Sequence, residues 1–188
     1  MSAPPADLLA YHLGFVVHDI EAMMDRYRRL LGINLWRVRE VPRQAPPWTA
    51  YTDARMKIAF GRGVGLTFEL IQVLKGHTQH SEFLATHGEG IQHIGIWSPN
   101  LKASVEGAVA EGAVLVNALF EADDIAAVQL TAGSTPGAVI QALGDARLAY
   151  VDPGMGGVQL EFVGPSQGMR DWLQQDFAQI IIPPPWES

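Results

Sequence analysis

Four polar residues stand inside segments that are otherwise apolar, and their types suit metal binding or proton transfer. They are His12 in YHLGF, Glu69 in TFELI, His93 in QHIGI and Glu161 in QLEFV. Each of them either faces solvent on the outer side of a sheet or faces inward, where a charged group must be paired. If all four face inward and meet, two imidazole nitrogens and two carboxylate oxygens suit a divalent cation such as Zn, Ni, Co, Mn or Fe. Four protein ligands would leave an octahedral ion two positions for water or a substrate.

The four residues occupy matching places in an internal repeat. The segment YHLGFVVHDIEA aligns without a gap with QHIGIWSPNLKA, which pairs His12 with His93 at a spacing of 81 residues. The segments GLTFELIQ and GVQLEFVG pair Glu69 with Glu161 at a spacing of 92 residues. Two matching windows in the same order indicate two copies of one module. Each copy therefore carries a histidine near its start and a glutamate near its end.

The elements around these residues are predicted to follow the order β-α-β-β-β in each copy. In the first copy, Asp19 precedes an apolar pattern of helical spacing that ends at Gly32. The strands predicted there are Leu13–Val17, Leu35–Val41, Ala54–Gly61 and Leu66–Val73. The second copy is predicted to contain a helix at Leu101–Glu111 and strands at Ile94–Trp97, Val114–Phe120, Ala138–Leu143 and Val158–Val163. This order predicts the α+β class, in which two tandem βαβββ modules pair to form a curved, mostly antiparallel sheet trough. The sequence leaves open whether the two modules pair within one chain or between the two chains of a dimer.

The repeat also predicts how the chain is divided. We expect a single domain over residues 1–165, made of two modules at about 11–74 and 92–165. A short helix at 81–87 is predicted to join the modules. Residues 166–188 are predicted to form a C-terminal helix and an apolar tail.

The segments outside the modules contain further local signals. Ser81 is the predicted N-cap of the joining helix. The C-terminal helix is predicted at 167–178, where apolar residues recur on one side. The run Ile180–Ile182 is unusual for a free tail, so we expect it to pack on the body of the protein or on a partner subunit.

The remaining histidines are predicted to lie outside the site. His18 stands at a turn, and His77 and His80 fall in a segment interpreted as an exposed loop. His87 is placed at the end of a short helix, where a cationic side chain interacts favourably with the helix dipole. No serine stands in a nucleophile-elbow pattern, so a Ser-His-Asp mechanism is not indicated.

The composition excludes several classes of protein. The chain has 188 residues, 48% of them hydrophobic and 18% charged, which is typical of a globular protein and argues against disorder. A formal charge of -7 disfavours nucleic-acid binding. The absence of cysteine excludes disulfides and thiolate metal sites. Without an apolar run of membrane-spanning length or the features of a secretory signal, we expect a cytoplasmic protein that does not enter a membrane.

These features resemble the vicinal oxygen chelate superfamily, which includes glyoxalase I, methylmalonyl-CoA epimerase, extradiol dioxygenases and the bleomycin-resistance proteins. The segments RYRRLLGI, SEFLATHGEGIQHIGI and GGVQLEFV are most similar to the epimerase and glyoxalase branch. The resemblance implies the glyoxalase-like fold and makes His12, Glu69, His93 and Glu161 the ligands of a divalent metal ion. Gln92 departs from the epimerase pattern, which usually has a second histidine at that position.

The same branch implies a lyase, isomerase or epimerase that moves a proton next to a metal-polarised carbonyl or thioester. In such an enzyme Glu161 and Glu69 are the candidates for the acid and base. The substrate would be a small carbonyl or thioester compound, and Trp36, Trp48 and Trp97 hint that it is hydrophobic. The resemblance and the apolar tail also lead us to expect a homodimer.

Two other functions stay open. A ferrous extradiol-type dioxygenase needs two histidines and one carboxylate with open positions, which His12, His93 and Glu161 would supply. The orientation of Glu69 discriminates between these enzymes. If Glu69 faces inward, it favours the proton-transfer enzyme, and if it faces outward, the dioxygenase stays open. A non-catalytic protein that binds a small molecule is the third interpretation, and the complete set of four ligands disfavours it.

Overall fold

The computed structural model describes residues 7–63, 65–120, 129–174 and 179–184. Within these ranges the strands are β1 (Leu9–Val16), β2 (Trp36–Arg43), β3 (Ala54–Arg62), β4 (Thr67–Lys75), β5 (Gly90–Trp97), β6 (Val114–Phe120), β7 (Ala146–Met155) and β8 (Val158–Val163). The α-helices are α1 (Ile20–Leu31), α2 (Gln79–His87), α3 (Leu101–Ala110), α4 (Pro136–Gln141) and α5 (Gln167–Trp172), and a 3-10 helix spans Leu143–Asp145. None of the helices described is both long and apolar enough to cross a membrane.

All eight strands belong to one curled sheet with the order β2-β3-β4-β1-β5-β8-β7-β6. The first strands of the two copies, β1 and β5, lie antiparallel at its centre. Each is flanked by the last strand of its own copy, because β4 runs parallel to β1 and β8 runs parallel to β5. The other neighbouring strands are antiparallel. The predicted α+β class and mostly antiparallel sheet are confirmed, and the two copies pair within a single chain.

Helix α1 has the limits that the sequence predicts. The Asp19 side chain accepts a hydrogen bond from the backbone N–H of Ala22 at 3.0 Å, which caps the first turn. Gly32 ends the helix with a φ of 69°, a left-handed conformation that suits glycine. The buried side chain of Ile20 packs in a cluster with Val17 and Leu70. This packing fixes α1 against the sheet.

The predicted strand Ala138–Leu143 is wrong, because this segment forms α4 and the 3-10 helix. The Thr135 side chain accepts a hydrogen bond from the backbone N–H of Ala138, and Pro136 occupies the first turn, where its missing N–H costs nothing. A short apolar run alone does not distinguish a strand from a buried helix. The third strand of the second copy follows instead as β7.

Two further helices differ from the predicted limits. Helix α2 begins at Gln79, and its N-cap is Thr78 rather than Ser81. Ser81 takes the third position of a capping box, in which its hydroxyl accepts a hydrogen bond from the backbone N–H of Thr78 at 2.8 Å. The predicted helix 167–178 is observed as α5 over its first part, and its residues 175–178 lie outside the described residues.

The C-terminal tail packs on the body of the protein, which confirms one of the two predicted alternatives. Ile180 and Ile181 are buried in the same apolar cluster as Trp97. The Thr67 hydroxyl donates a hydrogen bond to the carbonyl of Ile180 at 3.1 Å. The Trp97 indole N–H donates to the carbonyl of Ile182 at 3.0 Å. The tail therefore completes the core beneath the centre of the sheet.

We expect Ile181→Ala to destabilise the protein by about 2–5 kcal/mol, the usual cost of truncating a buried isoleucine. The reason is that Ile181 is 1% exposed, so the smaller side chain leaves a cavity. Leu30→Ala is the control, since Leu30 is 66% exposed and should change stability by less than about 0.5 kcal/mol. The measurement is urea unfolding followed by circular dichroism. Equal midpoints for the two variants would show that the tail does not support the core.

Candidate metal centre

The structure brings the four predicted site residues together on the four central strands of the sheet. His12 lies on β1, Glu69 on β4, His93 on β5 and Glu161 on β8, and all four are buried. One nitrogen or oxygen atom from each side chain lies within 4.8 Å of the others, which is a spacing that could hold a metal ion. The curling of the sheet turns these side chains inward, so the solvent-facing alternative is wrong for each of them.

The polar atoms of the cluster point towards a common centre. The two histidine Nε2 atoms are 2.9 Å apart. Glu69 Oε2 lies 2.9 Å from His93 Nε2 and 3.2 Å from His12 Nε2. Glu161 Oε2 lies 3.3 Å from His12 Nε2 and 3.6 Å from His93 Nε2. Glu69 therefore faces inward with the histidines.

Two glycines make room for the histidine rings. The register of β1 and β5 places His12 opposite Gly95 and His93 opposite Gly14. A Cβ atom at Gly14 would lie 1.9 Å from Cε1 of His93, and one at Gly95 would lie 2.0 Å from Cε1 of His12. Each ring thus lies over the glycine of the other copy. This reciprocal contact explains why the pattern His-x-Gly occurs at both first strands.

Gln92 fixes the orientation of the His93 ring. Its Oε1 lies 2.7 Å from His93 Nδ1 and 3.2 Å from His80 Nδ1, and its Nε2 donates a hydrogen bond to Oε1 of Gln159 at 2.8 Å. Because a carbonyl oxygen only accepts hydrogen bonds, His93 Nδ1 carries the proton in this contact. The Nε2 lone pair of His93 is then directed at the centre of the cluster. This arrangement is the one that metal-ligating histidines usually adopt.

The charges of the cluster favour a cation. Burial opposes protonation of His12, but hydrogen bonds to Glu161 and Glu69 and the charges of these carboxylates outweigh it and raise the pKa of His12 to about 9. Burial also opposes ionisation of the glutamates, yet the nearby histidines hold the pKa of both carboxyl groups below its ordinary value. Both carboxylates therefore stay charged at neutral pH. Two carboxylate oxygens and two imidazole nitrogens form a donor set that fits a borderline divalent ion.

The cluster opens into a cavity of about 530 Å³. His12, Glu69 and Glu161 form its floor, and Phe60 and Trp172 contribute to its apolar wall. This volume falls in the range typical of small-molecule sites. The residues that line it do not include the three tryptophans from which a hydrophobic substrate was predicted, so the apolar wall comes from other residues.

His80 is the site residue that the sequence interpretation placed wrongly. It is 2% exposed on α2 and lines the cavity, rather than lying in an exposed loop. Burial, together with the charges of His93 and Arg43, lowers the pKa of His80 to about 3, so its ring is neutral. The signal that could have found it is the capping box at Thr78, which starts the helix before His80. His18 and His77 are exposed, and His87 is the last residue of α2, as the sequence predicts.

Tyr150 is a second cavity residue that the sequence did not indicate. It stands opposite Glu161 on β7, just as Phe60 stands opposite Glu69 on β3. Burial, the charges of Glu161 and Glu69 and a hydrogen bond to Glu161 raise the pKa of the Tyr150 phenol. Its ring contacts His93 edge to face, with the ring centroids 5.3 Å apart. Assigning the third strand of the second copy to the wrong segment concealed this residue.

Comparison with known proteins identifies the class to which this fold and site belong. The model of the Glyoxalase/Bleomycin resistance protein/Dioxygenase superfamily matches residues 11–128, which is more than half of the chain. The chain therefore belongs to the glyoxalase/bleomycin resistance/dioxygenase superfamily. A comparison with curated protein sequences gives no match.

Solved structures of the same fold include several enzymes. Methylmalonyl-CoA epimerase from Mycobacterium tuberculosis is 20% identical with a TM-score of 0.52, over 86% of this chain and 91% of the epimerase. A variant of the Streptomyces coelicolor epimerase in complex with 2-nitronate-propionyl-CoA is 16% identical, with a TM-score of 0.52 over 84% of this chain and 96% of that one. A mutant of 4-hydroxymandelate synthase from Streptomyces coelicolor is 16% identical with a TM-score of 0.56, over 84% of this chain and 49% of the synthase. At these identities the likeness establishes the fold.

Proposed function

We propose that this protein is a divalent-metal-dependent enzyme of the lyase, isomerase or epimerase type, which moves a proton next to a carbonyl or thioester. In this proposal His12, Glu69, His93 and Glu161 hold the ion. The observation that carries it is the inward position of Glu69, whose Oε2 lies as close to His93 Nε2 as the two histidine nitrogens lie to each other. A fourth protein ligand takes a position that a dioxygenase would keep open for substrate or O₂.

In this proposal the residues around the site have different roles in the reaction. A bound divalent ion supplies Lewis acidity, which makes a C–H next to a carbonyl more acidic. Glu69 and Glu161 approach from β4 and β8, the two strands that flank the histidine pair, so a carboxylate is available on each side to accept or return a proton. The Tyr150 phenol, which is hydrogen-bonded to Glu161, orients that carboxylate. Phe60 and Trp172 keep bulk water away from the reacting carbon.

Other expectations from the sequence stay proposals. We propose that the substrate is a small carbonyl or thioester compound with a hydrophobic part, which the apolar wall of the cavity supports. We further propose a cytoplasmic homodimer whose interface includes Leu35 and Val38, which are exposed on the first copy. The division into a domain over residues 1–165 and an extension at 166–188 is likewise a proposal.

Proton exchange with solvent tests the proposed reaction. The protein is loaded with Co²⁺, Ni²⁺, Mn²⁺ or Zn²⁺ and incubated in D₂O with hydroxyacetone, acetophenone or methylmalonyl-CoA, and deuterium uptake next to the carbonyl is followed by NMR. We expect uptake that requires the metal and is slowed by about 10²–10⁴-fold in Glu161→Gln. If no probe exchanges, while Fe²⁺-loaded protein consumes O₂ with a catechol, the protein is a dioxygenase and the proposal is wrong.

Gln92→Leu is expected to weaken metal binding by about 10–100-fold, the usual effect of removing a partner that orients a ligand. The leucine cannot accept the hydrogen bond from His93 Nδ1, so the ring loses its fixed orientation. Gln92→Glu is the matched variant, since it keeps an accepting oxygen and should retain the affinity. Calorimetric titration with Zn²⁺ measures both. If Gln92→Leu binds the ion as tightly as the parent protein, Gln92 does not position His93.

A further inference from the structure

We propose that the cavity accepts a carbonyl compound that also carries an oxyanion, a carboxylate or a phosphate, and that Arg43 is the main residue that binds this group. The inference rests on the proposed function, because it names the substrate class of the same site. It adds a charge requirement that neither the metal ligands nor the apolar wall imposes.

The first observation is the distribution of charge around the cavity. Arg39, Arg43 and Arg147 all line it, although the whole chain has only 13 lysines and arginines and a net charge of -7. Among the described residues that line it, the acidic ones are Glu69 and Glu161, which belong to the metal centre. A divalent ion would compensate the charges of these two carboxylates, and a cation in the lining such as Arg43 then favours an anionic ligand.

The second observation is the position of Arg43. It ends β2, the outermost strand of the first copy, and the curled sheet brings it to the strand β7 of the second copy. Arg43, Leu148 and Tyr150 line both the cavity and a second, smaller pocket beside it. Arg43 shares the lining of both pockets with His80 and Tyr150. The Arg43 side chain thus borders the cavity together with residues of β7.

The third observation is that the guanidinium of Arg43 has no counter-ion within the part of the chain that the structure describes. No carboxylate there lies within 4.0 Å of its nitrogens, whereas Arg28 and Arg29 on the surface both pair with Asp25. Arg43 is only partly exposed. A partly desolvated cation gains more from an anion than a solvated one does, and a guanidinium can bind a carboxylate or a phosphate through two parallel hydrogen bonds.

The remaining wall defines the rest of the ligand. Phe60, Leu148 and Trp172 are apolar and line the same cavity as the metal centre. They suit an aliphatic or aromatic body. The substrate class is therefore a carbonyl compound with an apolar body and an oxyanion, in which the carbonyl reaches the floor and the oxyanion reaches Arg43.

The test compares an acid with its neutral isostere. The probes are 4-oxo-4-phenylbutanoate and 4-oxo-4-phenylbutanamide, in which two methylene groups separate the ketone from the charged or neutral end. Dissociation constants are measured by calorimetry with the Zn²⁺-loaded protein and its variants. We expect the acid to bind at least about 10-fold tighter than the amide, and Arg43→Gln to bring the two within about 2-fold. A phosphonate analogue of the acid shows which oxyanion is preferred.

The controls separate this inference from loss of folding and from the proposed function. Arg43→Lys keeps the charge and should retain part of the preference, and Arg28→Gln on the surface should retain all of it. Circular dichroism checks that each variant is folded. The inference is overturned if the parent protein binds the acid and the amide equally or binds neither of them. It is also overturned if the preference for the acid survives in Arg43→Gln. Solvent exchange of neutral ketones without an acid preference would refute the anion site alone, whereas an acid preference without any exchange would refute the proposed reaction alone.

Discussion

Alanine at Gly14 or Gly95 is expected to lower the affinity for a divalent ion by at least about 100-fold while the protein stays folded. The reason is steric, because a Cβ atom at either position would lie about 2 Å from the ring of the histidine on the neighbouring strand. The ring must rotate away, and its Nε2 then no longer faces the other three ligands. Loss of a ligand's position costs at least as much affinity as loss of the partner that orients it.

Gly90→Ala is the matched control for this prediction. Gly90 lies on β5 like Gly95, but a Cβ atom there would meet nothing within 4 Å. The control should bind the ion as the parent does. Calorimetric titration with Zn²⁺ measures affinity, and circular dichroism reports folding. If both Gly14→Ala and Gly95→Ala bind the ion as tightly as the parent protein, metal binding does not depend on the present positions of the two histidine rings.

The second large effect is expected at the two glutamates. Glu161→Gln and Glu69→Gln should each slow metal-dependent solvent exchange by about 10²–10⁴-fold, which is the usual contribution of a general acid or base. The amide has nearly the shape of the carboxyl group and keeps an oxygen that can bind a metal, but it cannot accept the proton from carbon. The rate is measured by NMR in D₂O on protein whose metal content has first been determined.

A comparison of the two variants identifies their separate roles. If one variant loses exchange entirely and the other only slows it, the first glutamate is the base and the second acts mainly as a ligand. Glu106→Gln on the exposed face of α3 is the control and should leave the rate unchanged. Full exchange in both site variants at normal metal content would exclude the glutamates as proton carriers.

The pairing of the four candidate ligands could be predicted because the duplication places matching residues at matching positions of the two copies. His12 and His93, like Glu69 and Glu161, recur at equal places in two similar strands, and strand order then places them side by side. The fold class was predictable for the same reason. The order of elements in each copy can be recognised from the sequence, and Asp19 marks the start of α1.

Other parts of the site depend on contacts that a linear pattern does not contain. Tyr150 and Arg43 reach the cavity only because the sheet curls, which brings the outer strands β2 and β7 towards each other. His80 reaches it because a capping box starts α2 earlier than the apolar pattern indicates. The strand predicted over residues 138–143 is a helix because a threonine cap and a proline outweigh the apolar run.

The most direct test of the central claim is elemental analysis of the purified protein beside its Glu69→Ala and His93→Ala variants. The proposed site predicts about one Zn, Ni, Co or Mn ion per chain in the parent protein and a clear loss in both variants, because each removes one of four ligands. Iron that survives Glu69→Ala but not His93→Ala would indicate the dioxygenase instead. A parent protein that holds no metal, even after reconstitution with each of these ions, would contradict the claim that His12, Glu69, His93 and Glu161 form a metal centre.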